Sequence, residues 1–199
     1  MFVASKTGYL STKESRKRCA AASNMKRLLG SFEKPEMIIS KNVEIDNESS
    51  NIILPKEYDV RKAYPHCKYI NFIKDQSNCG SCWAVSSASV MSDRHCIATN
   101  GTEQPFLSEE ELISCCKTCG LGCDGGYVSH AFEYWVEKGL PSGGAYGWKT
   151  GCKPYSIAPC NNCDEAETPK CKNTCIPEYP LTPKDDKYFG NKIMLRIFE

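Results

Sequence analysis

Ten residues, Asp75-Gln76-Ser77-Asn78-Cys79-Gly80-Ser81-Cys82-Trp83-Ala84, hold the side-chain types and spacing that can do chemistry. Cys82 stands where a helical run begins, and unpaired backbone N–H groups at a helix start favour a thiolate. A thiolate is the form of cysteine that attacks a carbonyl. Gln76, six residues earlier, is placed to donate its side-chain amide to an oxyanion beside those N–H groups. Gly80 lets the backbone pass close to a bound substrate, and Cys79 can be tied elsewhere by a disulfide. Three other readings of these residues stay open: a redox Cys79-x-x-Cys82 pair, half of a zinc site, or two ordinary disulfide partners. The redox reading lacks a surrounding β-α-β pattern. The zinc reading lacks a paired-histidine spacing, although Cys116-x-x-Cys119 and Cys160-x-x-Cys163 repeat the Cys-x-x-Cys step.

Three helices must position these groups. The first follows Ser81 and runs through Trp83, Val85, Ala88 and Val90 to about His95, before Asn100-Gly101 breaks it. The second opens on a capping box, with Ser108 as N-cap and Glu111 three residues on. The third follows Gly125-Gly126 and sets Val128, Ala131, Phe132, Trp135 and Val136 on one face, closed by Gly139. A short helical stretch is expected around Asn24 to Leu29, and a helix or strand from Lys192 to Phe198. Beyond Gly143 the chain reads as loop rich in Gly, Pro and Cys.

The 199 residues carry 25 basic and 24 acidic side chains, a net charge of +1. That balance argues against a nucleic-acid binder. No apolar run reaches the ~18 residues that would span a bilayer. Fourteen cysteines against three histidines indicate an oxidising compartment and disulfides rather than a mixed Cys/His metal array. Two Asn-x-Ser/Thr acceptors, at Asn47 and Asn100, agree with secretion. Met1 to Lys17 holds no apolar leader, so the true N-terminus is expected upstream. Residues 1–53 are polar and charge-mixed and read as an arm; from Leu54 onward cysteines, aromatics and turn glycines become dense.

Gln76-Ser77-Asn78-Cys79-Gly80-Ser81-Cys82-Trp83 resembles the signature of papain-type cysteine peptidases. Leu54-Pro55, Tyr58-Asp59 and Arg61 are similar to the mature N-terminus of cathepsin B. So are Cys115-Cys116, Gly122 to Tyr127, Gly139 to Tyr146, Gly151 to Cys160, Thr168 to Cys171, Cys175 and Asp186-Lys187-Tyr188, over residues 54–199 with little interruption. The resemblance implies an α+β, disulfide-rich papain-like fold, with the helical left domain and only the start of the β-rich right domain in this chain. Residues 1–53 then correspond to the end of a propeptide that lies in the cleft. The implied disulfides are Cys67–Cys96, Cys79–Cys123, Cys115–Cys171, Cys116–Cys119, Cys152–Cys175 and Cys160–Cys163, leaving Cys82 as nucleophile and Cys19 in the arm.

The resemblance further implies a thiol endopeptidase without metal or cofactor, acting on peptides and proteins, inhibited by cystatin-like proteins, and secreted or lysosomal. Cys82 and Gln76 are the implied catalytic residues. Gly80, Trp83, Gly125, Gly126, Tyr127 and Val128 are the implied substrate-binding residues. Four departures qualify it. The family's histidine and asparagine lie ~130–150 residues or more after the cysteine, whereas 117 residues follow Cys82 and none after His130 is a histidine. The chain is therefore expected to stop short of its base and to lack normal turnover. His66, His95 and His130 are expected in surface or packing roles, with His130 solvated. The long cathepsin B loop with paired histidines is replaced by Asn161-Asn162 between Cys160 and Cys163, which implies endopeptidase rather than dipeptide-releasing action. Ser77 stands where the family usually has Gly, and Val85 where it often has Phe. The competing readings are a secreted, non-catalytic homologue that binds peptides or inhibitors, and a gene-model fragment.

Overall fold

A buried helix organises the molecule. The computed structural model describes residues 56–160 and 163–191; the arm, Cys19, the stretch Asn24 to Leu29, the Asn47 acceptor, Asn161-Asn162 and the segment Lys192 to Phe198 lie outside the described residues. Four α-helices occur in that part: α1 (Val60–Ala63), α2 (Cys82–Ala98), α3 (Glu109–Cys115) and α4 (Val128–Lys138), with a 3-10 turn at Gly122–Asp124. Helix α2 packs against both α3 and α4.

Helix α2 is rich in small residues, so neighbours can approach it on several sides. Trp83, Ala84, Ser87, Ala88, Met91, Ser92 and Cys96 are all buried. The buried Ser87 and Ser92 return their hydroxyls to the helix, Ser87 to Trp83 O at 2.6 Å and Ser92 to Ala88 O at 2.7 Å, and the half-buried Ser86 does the same to Cys82 O at 2.6 Å. A buried hydroxyl without such an acceptor would cost about 1–3 kcal/mol. Ser92 Oγ also accepts from the N–H of Leu107 at 2.9 Å, which pins the strand-like segment leading into α3.

The main core gathers Trp83, Ala84, Ala88 and Met91 of α2 with Leu112 and Ile113 of α3, Ala131 and Trp135 of α4, and Leu107, Leu140 and Tyr155 from loops. A smaller cluster of Cys67, Ile70 and Cys96 is flanked by Val60, Tyr64 and Ile97. The short α1 starts at Asp59, whose carboxylate accepts from Arg61 N at 3.0 Å. The Arg61 guanidinium on the same carboxyl holds the pKa of Asp59 down at about 2.

The capping box at Ser108 forms only by half. Ser108 Oγ accepts from Glu111 N at 3.0 Å, but Ser108 N donates to Pro141 O, so the Glu111 carboxylate turns elsewhere. It takes the ammonium of Lys153 and the hydroxyl of Tyr134, the latter at 2.9 Å. A buried carboxylate gains more from a cation and a phenol than from one amide. The apolar face of α4 follows expectation at four positions: Ala131 and Trp135 are buried and Val128 and Phe132 lean on the core, where Tyr134 joins them in place of Val136.

Outside the helices, antiparallel bridges join Leu107 to Ser142, Gly120 to Gly126 and Leu140 to Tyr188. They are the β component among the described residues. Asp186, 2% exposed, holds the last bridge in place: its carboxylate accepts from Ser142 N at 2.8 Å, Ser142 Oγ at 2.6 Å and Tyr179 Oη at 2.9 Å. No helix among the described residues is long and apolar enough to cross a membrane.

Candidate active site

Cys82 is the first residue of α2 and is half-buried. The structure joins the other twelve described cysteines as Cys67–Cys96, Cys79–Cys123, Cys115–Cys171, Cys116–Cys119, Cys152–Cys175 and Cys160–Cys163. Cys82 alone among the described cysteines stays outside a disulfide. Cys82 thus sits on the first turn of α2, where Ala84 N and Val85 N both donate to Ser81 O at 2.9 Å. Such a terminus favours a negative sulfur.

The loop before Cys82 is fixed from several directions. The Cys79–Cys123 disulfide and a bond from Gly80 N to Cys123 O at 2.7 Å clamp it to the 3-10 turn. Gln76 Nε2 donates to Cys79 O at 2.8 Å, which folds the amide back over its own loop. Ser77 adopts φ of +56°, a conformation that glycine takes without cost and other residues rarely take. Its hydroxyl offsets the strain by donating to Ala158 O at 2.7 Å and lying 3.3 Å from Cys160 Sγ. Asn78 donates to Cys163 O at 2.8 Å and accepts from Ala166 N at 2.9 Å. Cys160 and Cys163 thus both meet the loop that carries Gln76.

Trp83, expected among residues that touch substrate, is only 1% exposed and turns inward. Its indole Nε1 donates to Gly122 O at 3.0 Å. A β-carbon on Gly126 would stand 2.5 Å from its ring, so the indole and Gly126 are in face-to-face contact. Trp83 therefore shapes the site by supporting Gly126. Gly126 in turn pairs with Gly120, flanked by Leu121 N→Gly125 O and Tyr127 N→Cys119 O, both 2.7 Å. That arrangement is the non-hydrogen-bonded kind of antiparallel pair, in which the facing residues' own N–H and C=O point away from the partner strand. Close Cα approach in such a pair also excludes a side chain, and a β-carbon on Gly120 would meet Gly126 Cα at 2.3 Å. Gly125, with φ of +111°, turns the chain into this pair. The Tyr127 ring lies tilted against His130 with centroids 5.0 Å apart, and Val128 leans on the main core.

The three histidines each have work away from Cys82. His66 lies edge-on to Tyr64 and against Gly101. His95 meets Glu103 at 2.7 Å and the ring of Tyr188 at 5.4 Å. His130, expected in solvent, is half-exposed and also lies 2.9 Å from Thr118 O through Nδ1. The grouping His66, Cys67 and Cys96 has metal-ligand spacing, but the two cysteines share a disulfide, which removes their thiolates. A cavity of about 600 Å³ lies at the other end of α2, lined by His95, Glu103, Leu181, Asp185 and Phe189 among others, well removed in the chain from the Cys82 loop.

One residue in contact with this loop was given no role by its type and spacing. Tyr155 donates to Gln76 O at 2.9 Å and lies 2.8 Å from Ser81 Oγ. Its only sequence signal is its place in Lys153-Pro154-Tyr155-Ser156, a stretch that reads as loop.

With this geometry in hand, the relatives are informative. The family described as papain family cysteine protease matches residues 54–194. Cathepsin B-like cysteine proteinase 3 of Caenorhabditis elegans is 49% identical over 140 residues, which are 69% of this chain and 38% of that protein. The cathepsin B-like cysteine proteinase of Schistosoma japonicum is 39% identical over 170 residues, 80% of this chain and 50% of that protein. Among solved structures, proCathepsin B S9 from Trypanosoma congolense superimposes with a TM-score of 0.63 at 39% identity, covering 77% of this chain and 48% of the other. The chain thus spans half or less of the length of these relatives.

Proposed function

Since the chain belongs to the papain family of cysteine proteases, we propose that it carries the nucleophile and oxyanion groups of a cathepsin B-like endopeptidase. The observation that carries this reading is Cys82, a thiol outside six disulfides, at the start of a buried helix whose preceding loop is clamped from several sides. The Cys82 sulfur bonds to the carbonyl carbon of a peptide, and the carbonyl oxygen takes the electron pair. The side-chain amide of Gln76 and the backbone N–H of Cys82 receive that oxyanion. The outward N–H and C=O of Gly126 bind the substrate backbone as an extended strand, with Tyr127 beside them.

The imidazole that takes the Cys82 proton is none of His66, His95 or His130, because their contacts lie elsewhere. Residues 1–199 alone therefore do not sustain turnover. The same observation favours a second reading, a homologue that holds peptides or inhibitors without cleaving them. Only Asn161-Asn162 separate Cys160 from Cys163, too few residues for a loop that covers the leaving-group side of the cleft, which supports endopeptidase action. Six disulfides agree with a secreted or lysosomal home. Residues 1–53 are assigned to a propeptide and cystatin-like proteins to its inhibitors.

The protein as encoded in full separates these readings. Iodoacetamide at mildly acidic pH should label Cys82, and internal bonds of a blocked peptide should be cut. Labelling without cleavage favours the binding homologue. Efficient release of C-terminal dipeptides would refute the endopeptidase assignment.

A further inference from the structure

The carbonyl of Gln76 and the hydroxyl of Ser81 converge on one phenol. Ser81 is the N-cap of α2, yet its side chain makes no capping bond; it is fully buried and directed to Tyr155 Oη at 2.8 Å. Tyr155 is 3% exposed and also contacts Gln76 O at 2.9 Å. A phenol has one proton, and a carbonyl oxygen can only accept. The proton therefore goes to Gln76 O, and Ser81 donates its own to the phenol oxygen. Burial pushes the phenol pKa up, against the Ser81 bond and with the help of Glu109, Glu110 and Asp75, so the donor stays protonated at neutral pH.

The phenol stands on a fixed base. Tyr155 N donates to Gly144 O and Lys153 N to Ser142 O, both at 2.9 Å. The neighbouring Ser156 bonds Glu110 through both N and Oγ, and Cys152 is tied to Cys175. Gln76 and Ser81 are separated from Tyr155 by 79 and 74 residues, so nothing local to the loop supplies this link.

We propose that Tyr155 is a positioning residue for the reaction assigned to Cys82: its single hydroxyl locks the backbone of the oxyanion residue Gln76 to the residue preceding the nucleophile. The inference rests on the endopeptidase reading above. With the lock in place, the Gln76 amide and the Cys82 N–H keep a set separation, and an oxyanion meets two donors that need no rearrangement. Preorganisation of this kind is what makes oxyanion donors effective.

The test uses the protein as encoded in full, carrying Tyr155→Phe, Ser81→Ala, or both. Three quantities are read: kcat and KM on a blocked peptidyl coumarin, the rate of Cys82 alkylation by iodoacetamide, and the thermal midpoint. Tyr155→Phe should lower kcat about tenfold with KM changed less than about twofold, the pattern of an interaction realised only in the transition state. Alkylation, which builds no oxyanion, should hold within about twofold of wild type. Ser81→Ala keeps the phenol–Gln76 bond and should lose less; added to Tyr155→Phe it should lose little more, because the two act through one link. A lowered midpoint with unchanged kcat per alkylatable site would make Tyr155 merely structural and overturn the inference alone. A wild-type protein that alkylates at Cys82 but cleaves nothing would overturn the endopeptidase reading, and this inference with it.

Discussion

The two ends of α2 are built in opposite ways. At its start, Cys82 is framed by groups far off in the chain: Cys123, Tyr155, Ala158, Cys163 and Ala166 all bond the loop Gln76–Ser81. At its end, the chain largely satisfies itself. Thr99 Oγ1 bonds His95 O and Glu103 O, Thr102 Oγ1 bonds Thr99 O, and His95 meets Glu103, all within eight residues. Both ends carry one long-range disulfide, Cys79–Cys123 and Cys67–Cys96. The difference is that only the start must hold two functional groups in register, and register between them cannot come from a short loop by itself. Anchors from four other segments supply it.

Removing each disulfide is the strongest way to break this comparison. The bridges close loops of 44 and 29 residues, and loop entropy assigns each about 3–4 kcal/mol. The pairs Cys79→Ser with Cys123→Ser, and Cys67→Ser with Cys96→Ser, should thus lower stability alike in urea melts. Only the first pair should also slow Cys82 alkylation and hydrolysis. Equal loss of reactivity in both would show that the ends do not differ in function.

Glycines sharpen the contrast at smaller scale. A methyl at Gly126 would meet the buried Trp83 ring and the carbonyl of Cys119 at 2.7 Å or less, with nothing able to yield. Gly126→Ala should cost about 2 kcal/mol through overpacking. Gly101, at the other end, has φ of +79° and would meet the exposed side chain of His66. That ring can swing away, so Gly101→Ala should cost about 1 kcal/mol, the backbone contribution alone. Thermal denaturation of the two variants checks the order.

The smallest expected effect is on acid dependence. Glu110, beside the Tyr155 segment, has its carboxyl pKa raised by burial, only partly opposed by its bonds from Ser156. A raised carboxyl favours folding while protonated, so its contribution is present below the ordinary carboxylate range and is lost as pH rises through the folded value. Asp59, on the smaller cluster, has the opposite sign. Its contribution is present above about 3.8 and is lost as pH falls through about 2. Glu110→Gln should flatten the decline in stability as pH rises above the ordinary carboxylate range. A steeper decline in urea melts would reverse the assignment.

Helices α2, α3 and α4 were legible in the chain because their signals are local, whereas the single turn α1 was not expected. Asn100-Gly101 after α2, Ser108 before α3 and Gly139 after α4 act on backbone within one turn of themselves. The cysteine spacing could not choose a pairing, and the six bridges came into view only through resemblance to a family. Half of the Ser108 capping box, the inward turn of Trp83, the His130–Thr118 contact and the double bond of Tyr155 were not legible. Each depends on which remote segment arrives beside the residue, and residue type carries no record of that.

By itself, the sequence determined the chemistry available: a thiol at a helix start, a glutamine six residues before it, and glycines where a backbone must come close. Those follow from what each residue type can donate, accept or sterically allow. Only the tertiary structure decided how those groups are held, because Gln76, Ser81 and Tyr155 meet across more than 70 residues. The same folding took the three histidines to Tyr64, Glu103 and Thr118 rather than to Cys82. Proximity in space is set by the core that Trp83, Met91, Leu112 and Trp135 share, and such a core is a property of all its segments at once.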